Sequence, residues 1–213
     1  MLFLLIPTAQ AADKTVPDTA IENFAKTAET NTVGKQASDF GFSGAWCGYF
    51  VGWVINHSSI KDTTGSISTA SSGKCYGSII WAAKKGYGTI YIAPGSQTKK
   101  YKNNYYNLLI DKGAPASSIK FADSFVPQRG DMVLYDWIDD IEGDFDHIGI
   151  MLSPTTVIEG NTIPYGSQYA CVAKYDFEKD NHGYGSYRKK QIAAFFRFNS
   201  STPSGESTLR FNI

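Results

Sequence analysis

The hydrophobic period changes once along this chain, and that change limits the folds open to it. Before Pro127 the apolar residues recur at helical spacing, and after it they alternate or run together as strands do. In "PDTAIENFAKTAE" (17–29) Ala20, Ile21, Phe24, Ala25 and Ala28 make one stripe, with Asp18 placed to cap it. In "SGAWCGYFVGWV" (43–54) Ser43 is the candidate N-cap, and Trp46, Phe50, Trp53 and Val54 line a helix running to about Asn56. Cys47 then falls in its first turn. "CYGSIIWAAKKG" predicts a helix closed by Gly86, "KKYKNNYYNLLIDKGA" predicts another ended by Pro115, and the small, polar stretch 58–73 predicts a loop. "GDMVLYDWI", "HIGIMLS", "TTVIEGNT" and "QIAAFFRF" predict strands. Helices first and strands after imply an α+β fold, N-terminal helices packed on an antiparallel sheet.

With 213 residues, 42% of them hydrophobic, the chain is long enough for one well-buried domain, expected over 13–200. Residues 1–12, "MLFLLIPTAQAA", hold a short apolar run followed by Ala9-Gln10-Ala11, the small-x-small pattern of a signal-peptidase site. No Lys or Arg precedes that run, and the competing reading is an apolar strand or helix of the domain. A signal implies a secreted protein, extracellular or periplasmic. No other apolar run approaches the roughly 20 residues that span a bilayer. Residues 201–213 read as a polar tail. Twenty Lys plus Arg balance twenty Asp plus Glu, so the basic field that nucleic acid requires is missing. A monomer is expected.

The hairpin "HIGIMLSPTTVIEGN" (147–161) fixes its own register. Ile148, Ile150, Leu152 and Ile158 are apolar and even-numbered, which assigns the even face to the core and demands an odd-length loop. A loop of Ser153, Pro154 and Thr155 sets Leu152 opposite Thr156, Gly149 opposite Glu159 and His147 opposite Asn161. The other face then gathers His147, Glu159 and Asn161 around Gly149. An imidazole beside a carboxylate and an amide is equipped as a general base, one ring nitrogen oriented and the other facing the reaction. If Cys47 meets that face, the helix N-terminus and the imidazolium both favour its thiolate, the nucleophile of acyl transfer.

Each residue also has an ordinary reading: Cys47 as packing or as half of a disulfide, His147 as a surface or core residue, Glu-Gly-Asn as a turn. The cysteines number three, Cys47, Cys75 and Cys171, so a Cys75–Cys171 disulfide would leave Cys47 as the odd thiol. His57 is placed to serve its helix C-terminus, and His182 falls in a polar turn. Asp136, Asp139, Asp140, Asp144 and Asp146 miss the spacing of a calcium loop, and no zinc pattern exists. No cofactor is expected.

Four segments in order carry a resemblance. "WCGYFVGWV" resembles the Trp-Cys-small-x-Phe-Val-x-Trp signature of CHAP domains, the cysteine, histidine-dependent amidohydrolases/peptidases of the NlpC/P60 superfamily. "PQRGDMVLYDW", "DHIGIML" and "VIEGNT" are similar to that family's later motifs, and "YRKKQIAAFFRF" to its closing strand. The resemblance covers residues 18–198. It implies a papain-like NlpC/P60 core and cleavage of an amide bond in bacterial peptidoglycan, by an endopeptidase or an N-acetylmuramoyl-L-alanine amidase. It places the nucleophile on Cys47, the base on His147, and the orienting or polarising groups on Glu159 and Asn161. "ASDFGFSGAWC" lacks the Asp-rich string with which some members bind Ca²⁺, so no metal is expected. A protein-directed cysteine protease or transacylase, and a non-catalytic wall-binding module, are the alternatives.

Overall fold

The computed structural model describes residues 13–92, 96–122, 124–137, 145–179 and 184–201. The expected signal segment 1–12 and nearly all of the tail lie outside them, as do Asp139, Asp140, Asp144 and His182. In chain order the elements are α1 (Asp18–Glu29), a 3-10 turn (Ala37–Phe40), α2 (Cys47–His57), α3 (Ile60–Thr64), α4 (Thr69–Ser72), α5 (Gly77–Lys84) and β1 (Gly88–Ile92). There follow α6 (Ser96–Asp111), a second 3-10 turn (Ala116–Ser118), β2 (Ile119–Phe121), β3 (Met132–Tyr135), β4 (His147–Met151), β5 (Thr156–Thr162), β6 (Cys171–Asp176), α7 (Tyr184–Lys190) and β7 (Ile192–Phe198).

The architecture is mixed α+β, a seven-stranded sheet in the order β2-β1-β7-β3-β4-β5-β6 with several helices. The expectation of an antiparallel sheet needs one correction: β1 runs parallel to β2, with Ile90 opposite Ile119, while the other pairings between these strands are antiparallel. Pro17, not Asp18, occupies the N-cap of α1. Likewise α2 starts at Cys47 rather than behind Ser43, because Gly44 takes φ +71° and breaks the helical path, and Trp46 becomes its N-cap. The stretch 58–73 is not a loop: Ile60 and Ile67, both buried, anchor α3 and the approach to α4 among small polar neighbours. Helix α6 ends at Asp111, ahead of Pro115.

The hairpin register is the expected one. Gly149 pairs with Glu159 and Ile150 with Ile158, and the Leu152 N–H donates to the Thr156 carbonyl (2.7 Å) across the three-residue loop. Ile148, Ile150 and Ile158 pack with Phe24, Phe50 and Val54 of α1 and α2 in the larger core. The opposite face is buried too, since Val133, Tyr135, Met151, Val157, Tyr175 and Phe195 form a second apolar layer with Phe125. His147 and Glu159 therefore lie at the end of a buried layer rather than on an open face.

Contact between α2 and β5 depends on Gly160, where a Cβ would meet Phe50 Cβ at 2.6 Å and Trp46 Cζ3 at 2.7 Å. The backbone of β5 thus rests directly on the helix that begins with Cys47. Replacing Gly160 by Ala forces the two apart, and a loss of about 1–3 kcal/mol is expected from overpacking of this kind. Urea denaturation followed by tryptophan fluorescence measures it; an unchanged midpoint would mean that the helix and strand are not held at this distance.

Candidate active site

Cys47 is the first residue of α2 and is 3% exposed. Trp46 offers the helix no side-chain cap, so the first-turn N–H groups and the positive end of the helix dipole are directed at the Cys47 surroundings. The Sγ atom lies 3.1 Å from Cys75 Sγ, and the Cys75 thiol also contacts the Asp146 carbonyl at 3.2 Å. Hydrogen bonding from Cys75 is the largest influence on Cys47; with His147 and the Gly48 N–H it outweighs burial and lowers the thiol pKa to about 5. The charged form is therefore the resting form at neutral pH.

His147 opens β4 opposite Tyr135 and is buried. Its Nε2 lies 3.2 Å from Glu159 Oε2, which leaves Nδ1 as the nitrogen for the thiol. Burial is the largest effect on the ring and favours the neutral form, but the Glu159 charge, Cys47 and their hydrogen bonds outweigh it and raise the pKa to about 9. The Tyr135 and Trp137 rings flank the imidazole, at centroid distances of 5.8 and 5.4 Å.

Glu159 is fully buried. Its Oε2 accepts a second bond, 3.0 Å from Arg188 Nε, and Arg188 Nη2 donates to Thr162 Oγ1 at 2.8 Å. Burial, the largest effect, disfavours the carboxylate, yet His147 and Arg188 together hold its pKa below the ordinary glutamate value. The Arg188 guanidinium lies 3.5 Å from the centre of the Tyr175 ring, a cation–π seat between two buried side chains. Four charges therefore alternate: Arg188 positive, Glu159 negative, His147 positive, Cys47 negative.

Asn161 stands apart from this line. The β4–β5 pairing ends at Gly149 and Glu159, and a register shift between Glu159 and Thr162 puts Asn161 at φ +58°, so the expected His147–Asn161 pair does not form. No hydrogen bond joins the two side chains; both line a cleft of about 300 Å³ with Trp137, Ile163, Tyr187 and Arg188. The Trp137 and Tyr187 rings stack on one side of it, 5.9 Å apart and inclined by 11°.

Arg188 carries no sequence signal of its own, because α7 is a short basic string that runs straight into the last strand. The candidate Cys75–Cys171 disulfide is not formed. None of the three cysteines is in a disulfide, and Cys75 lies against Cys47 rather than pairing with Cys171, which sits on β6 opposite Thr162. His57 donates from Nδ1 to the Trp53 carbonyl (2.8 Å) and stacks on that ring, a helix-terminal role as expected. Asp136 accepts from the Tyr105 hydroxyl and Asp146 from the Trp137 N–H, so both serve as structural acceptors. Among the described residues no group of His, Cys, Asp or Glu is arranged to hold a metal ion, and no helix is long and apolar enough to cross a membrane. The chain matches no protein-family model and no curated protein.

Two outcomes follow from the charges. Iodoacetamide should alkylate Cys47 at a rate that stays level from neutral pH down to about 5 and then falls, as a thiolate with that pKa requires. A midpoint near the ordinary thiol value of about 8.5 would contradict the arrangement. Arg188→Met should destabilise the fold by about 3–5 kcal/mol, since it leaves a buried carboxylate with one cation; Arg188→Met combined with Glu159→Gln should recover part of that loss. Urea titration of both variants reads the difference.

Proposed function

We propose that this chain is a cysteine hydrolase with a papain-like core of the CHAP type, cutting an amide bond in bacterial peptidoglycan. The observation that carries the reading is the Cys47–His147–Glu159 line: a thiol at a helix start, an imidazole coupled to it, and a buried carboxylate on the far ring nitrogen. The choice of peptidoglycan rests on the resemblance of four ordered motifs to CHAP domains. An exported location belongs to the same proposal.

The chemistry runs through this chain's own groups. The Cys47 thiolate attacks the carbonyl carbon, forming a C–S bond, and the oxyanion that develops is met by the Cys47 N–H at the positive end of α2. His147, protonated at rest, passes its proton to the amine as the C–N bond breaks. The neutral imidazole then takes a proton from water, which attacks the thioester and releases the acid, restoring thiolate and imidazolium. Glu159 and Arg188 hold the ring's orientation and charge throughout. The aromatic wall of Trp137 and Tyr187 gives the substrate an apolar surface beside His147.

Purified sacculi provide the test. Release of soluble fragments should fall by on the order of a thousandfold or more in Cys47→Ala and in His147→Ala, and less in Glu159→Gln. Undiminished release by Cys47→Ala would sink the reading. Cleavage of unfolded casein with intact sacculi would move the substrate to protein, and mass spectrometry of the new termini names the bond. The rate should be bell-shaped in pH, rising as Cys47 loses its proton near 5 and falling as His147 loses its own near 9.

A further inference from the structure

We propose that Cys47 and Cys75 form a peroxide-responsive dithiol, in which Cys47 is the thiol oxidised and Cys75 the thiol that resolves it to a reversible disulfide. The proposal rests on the reading of Cys47 as a nucleophile, and it adds Cys75 as the modifying partner of the same site.

The geometry is built by the backbone on both sides. The sulfurs are 3.1 Å apart, and an S–S bond of about 2.05 Å needs a closure of only about 1 Å. Cys47 is followed by Gly48, on which a Cβ would meet Ser72 O at 2.4 Å and Lys74 O at 2.7 Å. The segment leading into Cys75 is therefore pressed onto the first turn of α2, main chain against main chain. A larger residue at position 48 would push the two cysteines apart. This packing sets the two segments side by side.

The two thiols differ in charge and in exposure. Cys47 is buried and anionic, while Cys75 is half-buried and lies next to it. Reversibly oxidised cysteines combine a thiolate with a neighbouring thiol that resolves it. Cys171 does not fit as resolver: it lies on β6 at the sheet edge, beside the second apolar layer, and burial pushes its pKa up.

The oxidant is a hydroperoxide, in the simplest case hydrogen peroxide. The Cys47 thiolate attacks one peroxide oxygen; the O–O bond breaks, sulfur loses two electrons, and the hydroxide released takes the proton that His147 holds. Cys47 is then a sulfenic acid. Cys75 attacks its sulfur, the S–S bond forms, the S–O bond breaks, and the hydroxyl leaves as water with the Cys75 proton. In sum two thiols and one peroxide give one disulfide and two waters. The nucleophile is blocked until a dithiol reductant reopens it.

The full chain is treated with hydrogen peroxide at neutral pH, and Cys47 is followed by mass rather than by hydrolysis. The expected wild-type result is loss of two hydrogens, a Cys47–Cys75 linked peptide, and complete return of Cys47 alkylation after dithiothreitol. In Cys75→Ser, Cys47 should instead gain two oxygens, and dithiothreitol should restore none of its alkylation. A wild-type Cys47 that becomes sulfinic with Cys75 unlinked overturns the proposal, as does a Cys47–Cys171 link, and the wild-type peptide map needs no variant to fold. Cys47 alkylated rapidly at pH 6 but never linked defeats the dithiol alone. Cys47 inert to iodoacetamide at pH 6 defeats both the dithiol and the hydrolase.

Discussion

A fully buried carboxylate, Glu159, is the constraint around which this end of the molecule is organised. Removing such a charge from water costs several kcal/mol, and a fold tolerates it only where cations and hydrogen bonds replace the solvent. Here one oxygen receives both replacements, Arg188 from α7 and His147 from β4. The Tyr135 hydroxyl lies close by, and the Glu159 charge adds to burial in pushing the phenol pKa well up. Once His147 is held as a cation by Glu159, a further anion beside it is favoured, and Cys47 supplies it. The site is one electrostatic unit.

The β4–β5 hairpin brings His147 and Glu159 together, while Cys47 and Arg188 come from helices distant in sequence, so the meeting of all four depends on how closely the elements approach. Gly160 lets β5 rest on Phe50 and Trp46, and Gly48 lets the segment before α5 rest on α2. At Gly48 main chain meets main chain, and at Gly160 the β5 backbone meets the Phe50 and Trp46 side chains; in both a methyl group would intervene. The β3–β7 pairing is tied separately by Asp131, which accepts from Arg197 Nε at 3.0 Å and from the Gln128 N–H at 2.7 Å. The Gly-Asp of "PQRGDMVLYDW" is thus part of the frame and takes no place in the charge line.

The hairpin was readable from sequence because a strand offers only two faces, and four apolar residues of one parity leave a single register. That pattern put Glu159 beside Gly149 and on the face of His147. It did not reveal that the face is buried, because the layer covering it, with Phe125, Tyr175 and Phe195, comes from distant segments. The strands β1, β2 and β6 were missed for a related reason. β2 is three residues long, and β1 lies in a stretch without a clear period. Cys75 was unreadable as a neighbour of Cys47, since that contact depends on the packing of two short helices whose composition looks like loop. Arg188 had no readable signal, because the need for a second cation follows from the burial of Glu159, which the pattern did not show.

Asn161 shows why the pairing rule stops where it does. A regular strand would carry it opposite His147 and close the ladder, leaving the imidazole under a continuous sheet. The register shift between Glu159 and Thr162 instead puts Asn161 in the left-handed region, and the β4–β5 ladder ends one turn of the pleat earlier. Left-handed backbone is tolerated best by Gly and Asn, so the residue type suits the distortion. Beyond the bulge the chain leads through Thr162, which anchors Arg188, to Ile163 on the cleft wall. The same irregularity therefore ends the ladder beside His147 and fixes the cation that steadies Glu159. Charge burial demands an enclosed layer while the cleft beside His147 is an opening, and the bulge in β5 is where the sheet passes from one to the other.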